Sequence, residues 1–100
     1  MTDGQLSITV CDGDPRVVKL RGDLDMATAP ELRTCLSESS GDVEVDCAGL
    51  DFIDSSGLGA FVEAHQAFEA RGARLVIRNV TGRCRLVFEV TALDEVLHLE

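Results

Sequence analysis

The chain lacks several residue types and patterns that would each indicate a particular kind of protein. It has no Trp, no Tyr and only four Phe among 100 residues, so its core has to be built from Val, Leu, Ile and Ala, as in a small α/β domain. No apolar run approaches the roughly 20 residues that span a bilayer. The first residues, 1–5, have neither the basic nor the apolar region of a secretory signal. These absences predict a cytoplasmic protein with no membrane partner.

Basic residues are scarce relative to acidic ones. The chain has 9 Lys and Arg against 18 Asp and Glu, a formal net charge of -9. This charge repels a phosphate backbone, which argues against nucleic acid as a direct partner and favours a protein with a basic surface. The length predicts one domain, 1–100, with one modest core and no separate substrate domain. Function is therefore expected on the surface or in a shallow groove.

The four cysteines show no metal-binding pattern. Cys11, Cys35, Cys47 and Cys84 form no C-x-x-C pair and have no zinc-type spacing. Each lies within or beside an apolar segment, which predicts buried, reduced thiols that act as small hydrophobic residues. A redox-sensing pair is the alternative. We predict no cofactor and no metal.

Hydrophobic periodicity predicts strands that alternate with helices. Strands are expected over 6–10, 17–20, 43–47, 74–78 and 96–99, with a loop at Gly49, and helices from Thr28, from Ser56 to Arg71 and up to about Thr91. Thr28 and Glu31 have the spacing of a capping box. The fold class is α/β: a mixed sheet of four to five strands, antiparallel in its N-terminal hairpin and then parallel, with about three helices mainly on one face.

The segment 51–59, Asp-Phe-Ile-Asp-Ser-Ser-Gly-Leu-Gly, places two hydroxyls between an apolar strand and a helix. Unpaired backbone N–H groups point outward at a helix start, so a serine there is accessible to a second protein and to modification. The simpler interpretation makes Ser55 only a helix N-cap. Gly57 and Gly59 either admit a partner backbone or permit close packing of helix on strand, and Leu58 packs either inward or across an interface.

The chain resembles the STAS-domain anti-sigma factor antagonists in segments 22–25, 28–32 and 51–59, and the resemblance extends over nearly its whole length. The resemblance implies that the serine after the motif aspartate, here Ser55, is phosphorylated by an anti-sigma factor that is a GHKL-type serine kinase. It further implies a partner switch. The unphosphorylated antagonist binds the anti-sigma factor and frees a sigma factor, the phosphorylated form does not bind, and a serine phosphatase resets the system.

The same resemblance puts the partner-binding surface at these segments, in a monomer or weak dimer. The predicted contact residues are Asp23, Asp54, Ser55, Ser56, Gly57, Leu58 and Gly59. A phosphoserine adds about -1.5 to -2 charges, which a helix start tolerates. Nearby acidic residues such as Asp51 would make that charge unfavourable at an interface. We therefore expect phosphorylation to block binding locally without refolding the domain.

Two other functions compete with the switch. STAS domains also serve as accessory or scaffold subunits of transporters and signalling assemblies, which a hydrophobic docking patch without phosphorylation would favour. An enzyme would use Ser55 as nucleophile with His65 or His98 as base, but the Gly-x-Ser-x-Gly motif is absent. We predict that the chain is not an enzyme. Arg83 and Arg85 are expected to form a solvated face of the third helix.

Overall fold

The computed structural model describes residues 5–100, so residues 1–4, most of the segment examined for a secretory signal, lie outside the described residues. In chain order the elements are β1 (Leu6–Cys11), β2 (Arg16–Leu24), α1 (Ala29–Ser37), β3 (Val43–Ile53), α2 (Ser55–Ala70), β4 (Leu75–Arg78), α3 (Gly82–Val90) and β5 (His98–Leu99). A short 3-10 helix, Leu93–Glu95, precedes β5. None of the helices within residues 5–100 has the length and apolar character needed to cross a membrane.

The five strands form one mixed sheet in the order β1-β2-β3-β4-β5. The first two strands pair in antiparallel fashion, with Leu6 opposite Gly22 and Cys11 opposite Val17. The remaining neighbours are parallel, joined through the helices. The predicted fold class is therefore confirmed, with five strands and three α-helices.

Burial alternates along the central strands. Val18 and Leu20 on β2 are buried while Lys19 between them is exposed, and Val43 and Val45 on β3 are buried on the same pattern. Such alternation means that helices cover one face of the sheet and solvent reaches the other. The largest helix side chains buried in the core are Leu32, Leu36, Phe61, Phe68 and Phe88.

The predicted capping box of α1 is wrong. Thr28 precedes the helix, but its side chain makes no cap hydrogen bond. Its buried hydroxyl instead donates to the Asp23 carbonyl oxygen (2.8 Å) and accepts from the Asp25 N–H (2.9 Å). Thr28 thus fixes the β2–α1 loop against the end of β2, which determines the shape of that end of the sheet.

The predicted loop at Gly49 is also wrong, because β3 runs unbroken over 11 residues. Gly49 lies against the backbone of β2. A Cβ atom there would stand 3.0 Å from the Leu20 carbonyl oxygen and 3.3 Å from Arg21 Cα. The pairing of β2 with β3 shifts register between Lys19 and Arg21, beside this glycine. Strand β3 accommodates this shift in register and continues to Ile53.

The four cysteines differ in how deeply their side chains are buried. Cys47 and Cys84 are buried, as predicted, and all four thiols are free. Burial raises the pKa of both thiols, and it also raises the pKa of the half-buried Cys35. The prediction of burial is wrong for Cys11, which is exposed because it ends the edge strand β1.

Candidate functional site

The two motif segments meet where β2 and β3 end. Asp23 lies opposite Phe52 and Leu24 opposite Ile53 in the parallel pairing, which places Asp23 in strand β2 and not in a loop. The Asp54 N–H then donates to the Leu24 carbonyl oxygen at 3.2 Å. The β2–α1 loop and the first turn of α2 therefore lie side by side at one edge of the sheet. Sites of α/β domains commonly form at such an edge.

Asp54 is the N-cap of α2. Its Oδ1 accepts hydrogen bonds from the N–H groups of Ser56 (2.8 Å) and Gly57 (3.2 Å), and its carbonyl oxygen accepts from the Leu58 N–H (3.0 Å). The carboxylate satisfies otherwise unpaired amides and complements the positive end of the helix dipole. Ser55 is consequently the first helical residue, and its interpretation as the N-cap is wrong.

The Ser55 side chain is exposed at this corner. Within residues 5–100 its hydroxyl makes no hydrogen bond, so modification would break no contact in the part of the chain described. Ser56 is only half-exposed, and its backbone N–H donates a hydrogen bond to Asp54. Of the two adjacent hydroxyls, that of Ser55 is therefore the more accessible to a modifying enzyme.

Gly57 and Leu58 lie beneath the surface. A Cβ atom at Gly57 would stand 2.7 Å from Leu24 Cγ and 2.8 Å from Ile53 Cγ1, and Leu58 is 7% exposed. Direct contact of these two residues with a partner, as predicted, is revised to a packing role, because both are covered by their own domain. Gly59 is half-exposed and stays on the accessible side of α2.

The two glycines should respond in opposite ways to alanine. Gly57→Ala forces a methyl group into the contact with Leu24 and Ile53, and overpacking of this kind costs about 1–3 kcal/mol of unfolding free energy. At Gly59 the nearest heavy atom to an added Cβ is Arg33 Nη2, 3.8 Å away. Gly59→Ala should stabilise the domain by up to about 1 kcal/mol through helix propensity. Urea denaturation of both variants measures the difference, and stabilisation by both would contradict the tight packing at Gly57.

Two acidic side chains, Asp51 and Asp23, lie near the ends of β3 and β2 that lead to the serine corner. Asp51 is exposed and Asp23 half-buried. Burial is the main cause of the raised pKa of Cys84, but the charges of both aspartates also raise it, and Arg83 lowers it. These groups thus lie close enough to act on one thiol. Arg83 is exposed, as predicted, and is the basic side chain that lines a groove with Asp51 and Cys84.

Two apolar side chains at the same edge are exposed. Met26, in the β2–α1 loop, is 78% exposed, and Phe52, near the end of β3, is 48% exposed. Neither residue was predicted to lie on the surface. Alternation in β3 gave no reliable signal for Phe52, because the pattern of residues 43–47 is lost at the end of the strand, where Asp51 and Phe52 are both exposed between buried neighbours. Exposed apolar side chains near charged groups are common at protein-binding surfaces.

The histidines do not lie near Ser55. His65 follows Ser55 by ten residues on α2, a separation of about 15 Å at 1.5 Å per residue. His98 packs against His65, with ring centroids 5.3 Å apart. A general base must come within hydrogen-bonding reach of its nucleophile, so the arrangement required by the enzyme alternative is not formed.

The site lies in a domain with an antiparallel hairpin followed by parallel strands, and with a serine at the start of the second helix. The family model described as "Mlab, STAS domain" matches residues 9–99. The chain belongs to the STAS-domain family of anti-sigma factor antagonists. An anti-sigma-B factor antagonist of Staphylococcus epidermidis is 35% identical over 95 residues, which cover 91% of this chain and 88% of that protein.

Solved structures share the fold. An anti-sigma factor antagonist from Mycobacterium paratuberculosis superimposes with a TM-score of 0.81 at 24% identity, covering 98% of this chain and 87% of that one. The Bacillus cell fate determinant SpoIIAA in its phosphorylated form gives a TM-score of 0.71 at 22% identity, covering 96% and 91% of the two chains. These similarities agree with the sheet order and helix positions described above.

Proposed function

We propose that the unphosphorylated chain binds an anti-sigma factor that is a GHKL-type serine kinase, and thereby releases a sigma factor. Phosphorylation of Ser55 by that kinase ends the interaction, and a serine phosphatase restores it. The observation that carries the proposal is the exposed Ser55 at the first position of α2, beside the capping Asp54. Because the partner controls transcription, the proposal places the protein in the cytoplasm.

The proposed contact surface combines charge with apolar area. Its polar part comes from Asp23, Asp54, Ser55 and Ser56, with the half-exposed Gly59 beside them. Its exposed apolar side chains are those of Met26 and Phe52. The net charge of -9 would steer the domain toward a basic surface on the kinase. Burial of the two apolar side chains would then hold the complex.

The capping arrangement explains why a phosphate would act on the partner and not on the fold. A phosphoserine at a helix start is often stabilised by free amides. Here the amides of Ser56 and Gly57 already donate to Asp54. The phosphate on Ser55 would therefore compete with a carboxylate for those donors, and its charge would remain directed at whatever binds this corner.

The proposal is tested by incubating the chain with ATP and its cognate kinase. We expect one phosphate per chain, measured by intact mass and located at Ser55 by fragmentation. Ser55→Ala should remain unmodified, whereas the control Ser40→Ala, at an exposed serine outside the proposed contact surface, should be modified at the wild-type rate. Modification of Ser55→Ala at the wild-type rate would contradict the assignment.

A second candidate function uses a different surface. A groove between α1 and α2 is floored by apolar side chains, among them Ala64 and Phe68, and flanked by Arg33 and Arg71. Such a groove fits the accessory or scaffold role in a transporter or signalling assembly. That role is favoured if no kinase modifies the chain and if Ser55→Glu leaves partner binding unchanged.

A further inference from the structure

Both histidines of the chain come together far from the serine corner. His65 lies on α2 and His98 on β5, and their rings meet edge to face with centroids 5.3 Å apart. Glu69 follows His65 by one helical turn, and its Oε2 is 3.6 Å from His98 Nε2. One potential ligand atom from each of the three residues lies within 4.8 Å of the others.

We propose that His65, Glu69 and His98 bind a divalent metal ion of the late first transition row, with Zn²⁺ as the type ion. Two imidazole nitrogens and one carboxylate oxygen form a donor set that zinc uses in sites with three protein ligands. The spacing of His65 and Glu69 puts both side chains on one helix face. The expectation of no metal depended on cysteine spacing, which carries no information about these residues.

The geometry requires only side-chain adjustment. In a tetrahedral site with bonds of 2.0–2.1 Å, neighbouring donor atoms are about 3.3–3.4 Å apart. The three donor atoms, now within 4.8 Å of one another, therefore need to approach by at most about 1.5 Å. The two histidines are half-exposed and Glu69 is exposed, so their side chains have room to rotate. Three protein ligands leave a fourth position for water or for a group from another molecule.

A bound ion would join α2 to the edge of the sheet. β5 is a strand of two residues, paired to β4 through His98 opposite Val76 and Leu99 opposite Ile77. An ion held by His98 and by two α2 side chains would fasten this short strand. Any ligand that binds the folded state alone stabilises it by mass action. The site is thus a stabilising element that is separate from the switch at Ser55.

The test uses the full chain with Cys11→Ser, which removes the exposed thiol as a competing ligand. After treatment with a chelator, calorimetric titration with ZnCl₂ should show one ion bound per chain. Thermal unfolding with ZnCl₂ present should show a raised Tm. His65→Asn, His98→Asn and Glu69→Gln should each weaken binding by at least about tenfold, by analogy with the losses seen when a metal site is perturbed. Glu63→Gln is the matched control, because Glu63 is an exposed α2 carboxylate that pairs with Arg33, and it should bind as the parent does.

Two readouts keep the outcome clear if a variant is destabilised. Far-UV circular dichroism of each variant without metal establishes whether it is folded. NMR of the parent chain, which keeps both histidines, should show Zn²⁺-dependent shifts of both imidazoles. The proposal would be overturned if the parent chain showed no saturable binding up to millimolar Zn²⁺. It would also be overturned if the His65→Asn and His98→Asn variants bound Zn²⁺ with the same affinity as the parent.

Discussion

A single phosphate on Ser55 is expected to weaken binding to the anti-sigma factor by about 100-fold or more, since like charges forced together at an interface cost several kcal/mol and each 1.4 kcal/mol is a factor of ten. The phosphate adds about -1.5 to -2 charges next to Asp54, on a corner that also carries Asp23 and Asp51. Two of the helix amides that could neutralise it, those of Ser56 and Gly57, already donate to Asp54. Calorimetry with the purified kinase, using modified and unmodified chain, measures the effect.

Substitutions separate charge from size in this effect. Ser55→Glu should weaken binding, though less than the phosphate because it carries one charge. Ser55→Gln has nearly the same shape without charge and should retain much more affinity. Ser40→Asp is the control for net charge, because Ser40 is exposed and precedes β3, roughly 30 Å from Ser55 along that strand. It should bind as wild type does.

The same experiment can refute the local block. If Ser55→Glu and Ser55→Gln bind the kinase equally weakly, then the size of the side chain at position 55 weakens binding and its charge does not. If the phosphorylated chain binds as tightly as the unmodified one, the switch is wrong. Amide NMR spectra should show changes confined to the first turn of α2 and the β2–α1 loop, because the Ser55 hydroxyl has no partner in the described part of the chain.

Gly22→Ala should lower the unfolding free energy by about 3 kcal/mol, which combines the cost of a positive φ angle with that of overpacking. Gly22 lies in β2 with φ +108°, and a Cβ atom there would run into the backbone carbonyl of Gln5. That carbonyl accepts the Asp23 N–H at 3.0 Å, so it cannot move without cost. For a domain of this size the Tm should fall by more than about 10 °C.

Gly41→Ala isolates the backbone contribution. Gly41 also has a positive φ angle, +74°, but nothing lies within 4 Å of an added Cβ atom. Its substitution should cost only about 1–2 kcal/mol, the strain of the left-handed conformation alone. Thermal unfolding of the two variants side by side gives the contribution of the Gln5 contact. Equal losses would mean that β1 yields freely at this point.

Sequence patterns predicted the fold well because they record burial. The alternation on β2 and β3 and the apolar face of α2 specify which side of each element meets the core. The end of α2 was predicted within one residue, since the helix stops at Ala70, just before the left-handed Gly72. Hydrophobic periodicity was therefore sufficient to predict the elements and the faces that they bury.

The failures had different causes, some local and one distant in sequence. Thr28 resembles a helix cap, but its hydroxyl bonds to the end of β2. Asp54 and Ser55 are both good N-cap residues, and the choice between them depends on how the chain leaves β3. The cluster of His65 and His98 joins segments 33 residues apart in the sequence. The phosphorylation of Ser55 is first implied by a family resemblance, and the exposure of Ser55 at the first position of α2 supports it.

The cap at Asp54 also bears on how long the modified state would last. A phosphate enclosed by helix amides would be shielded from hydrolytic enzymes, and its lifetime would depend on local unfolding. At Ser55 the carboxylate of Asp54 occupies those amides, so the phosphoryl group would stand in solvent. The lifetime of the phosphorylated, non-binding form would then be set by the concentration of the phosphatase. The structure of the antagonist itself would not prolong it.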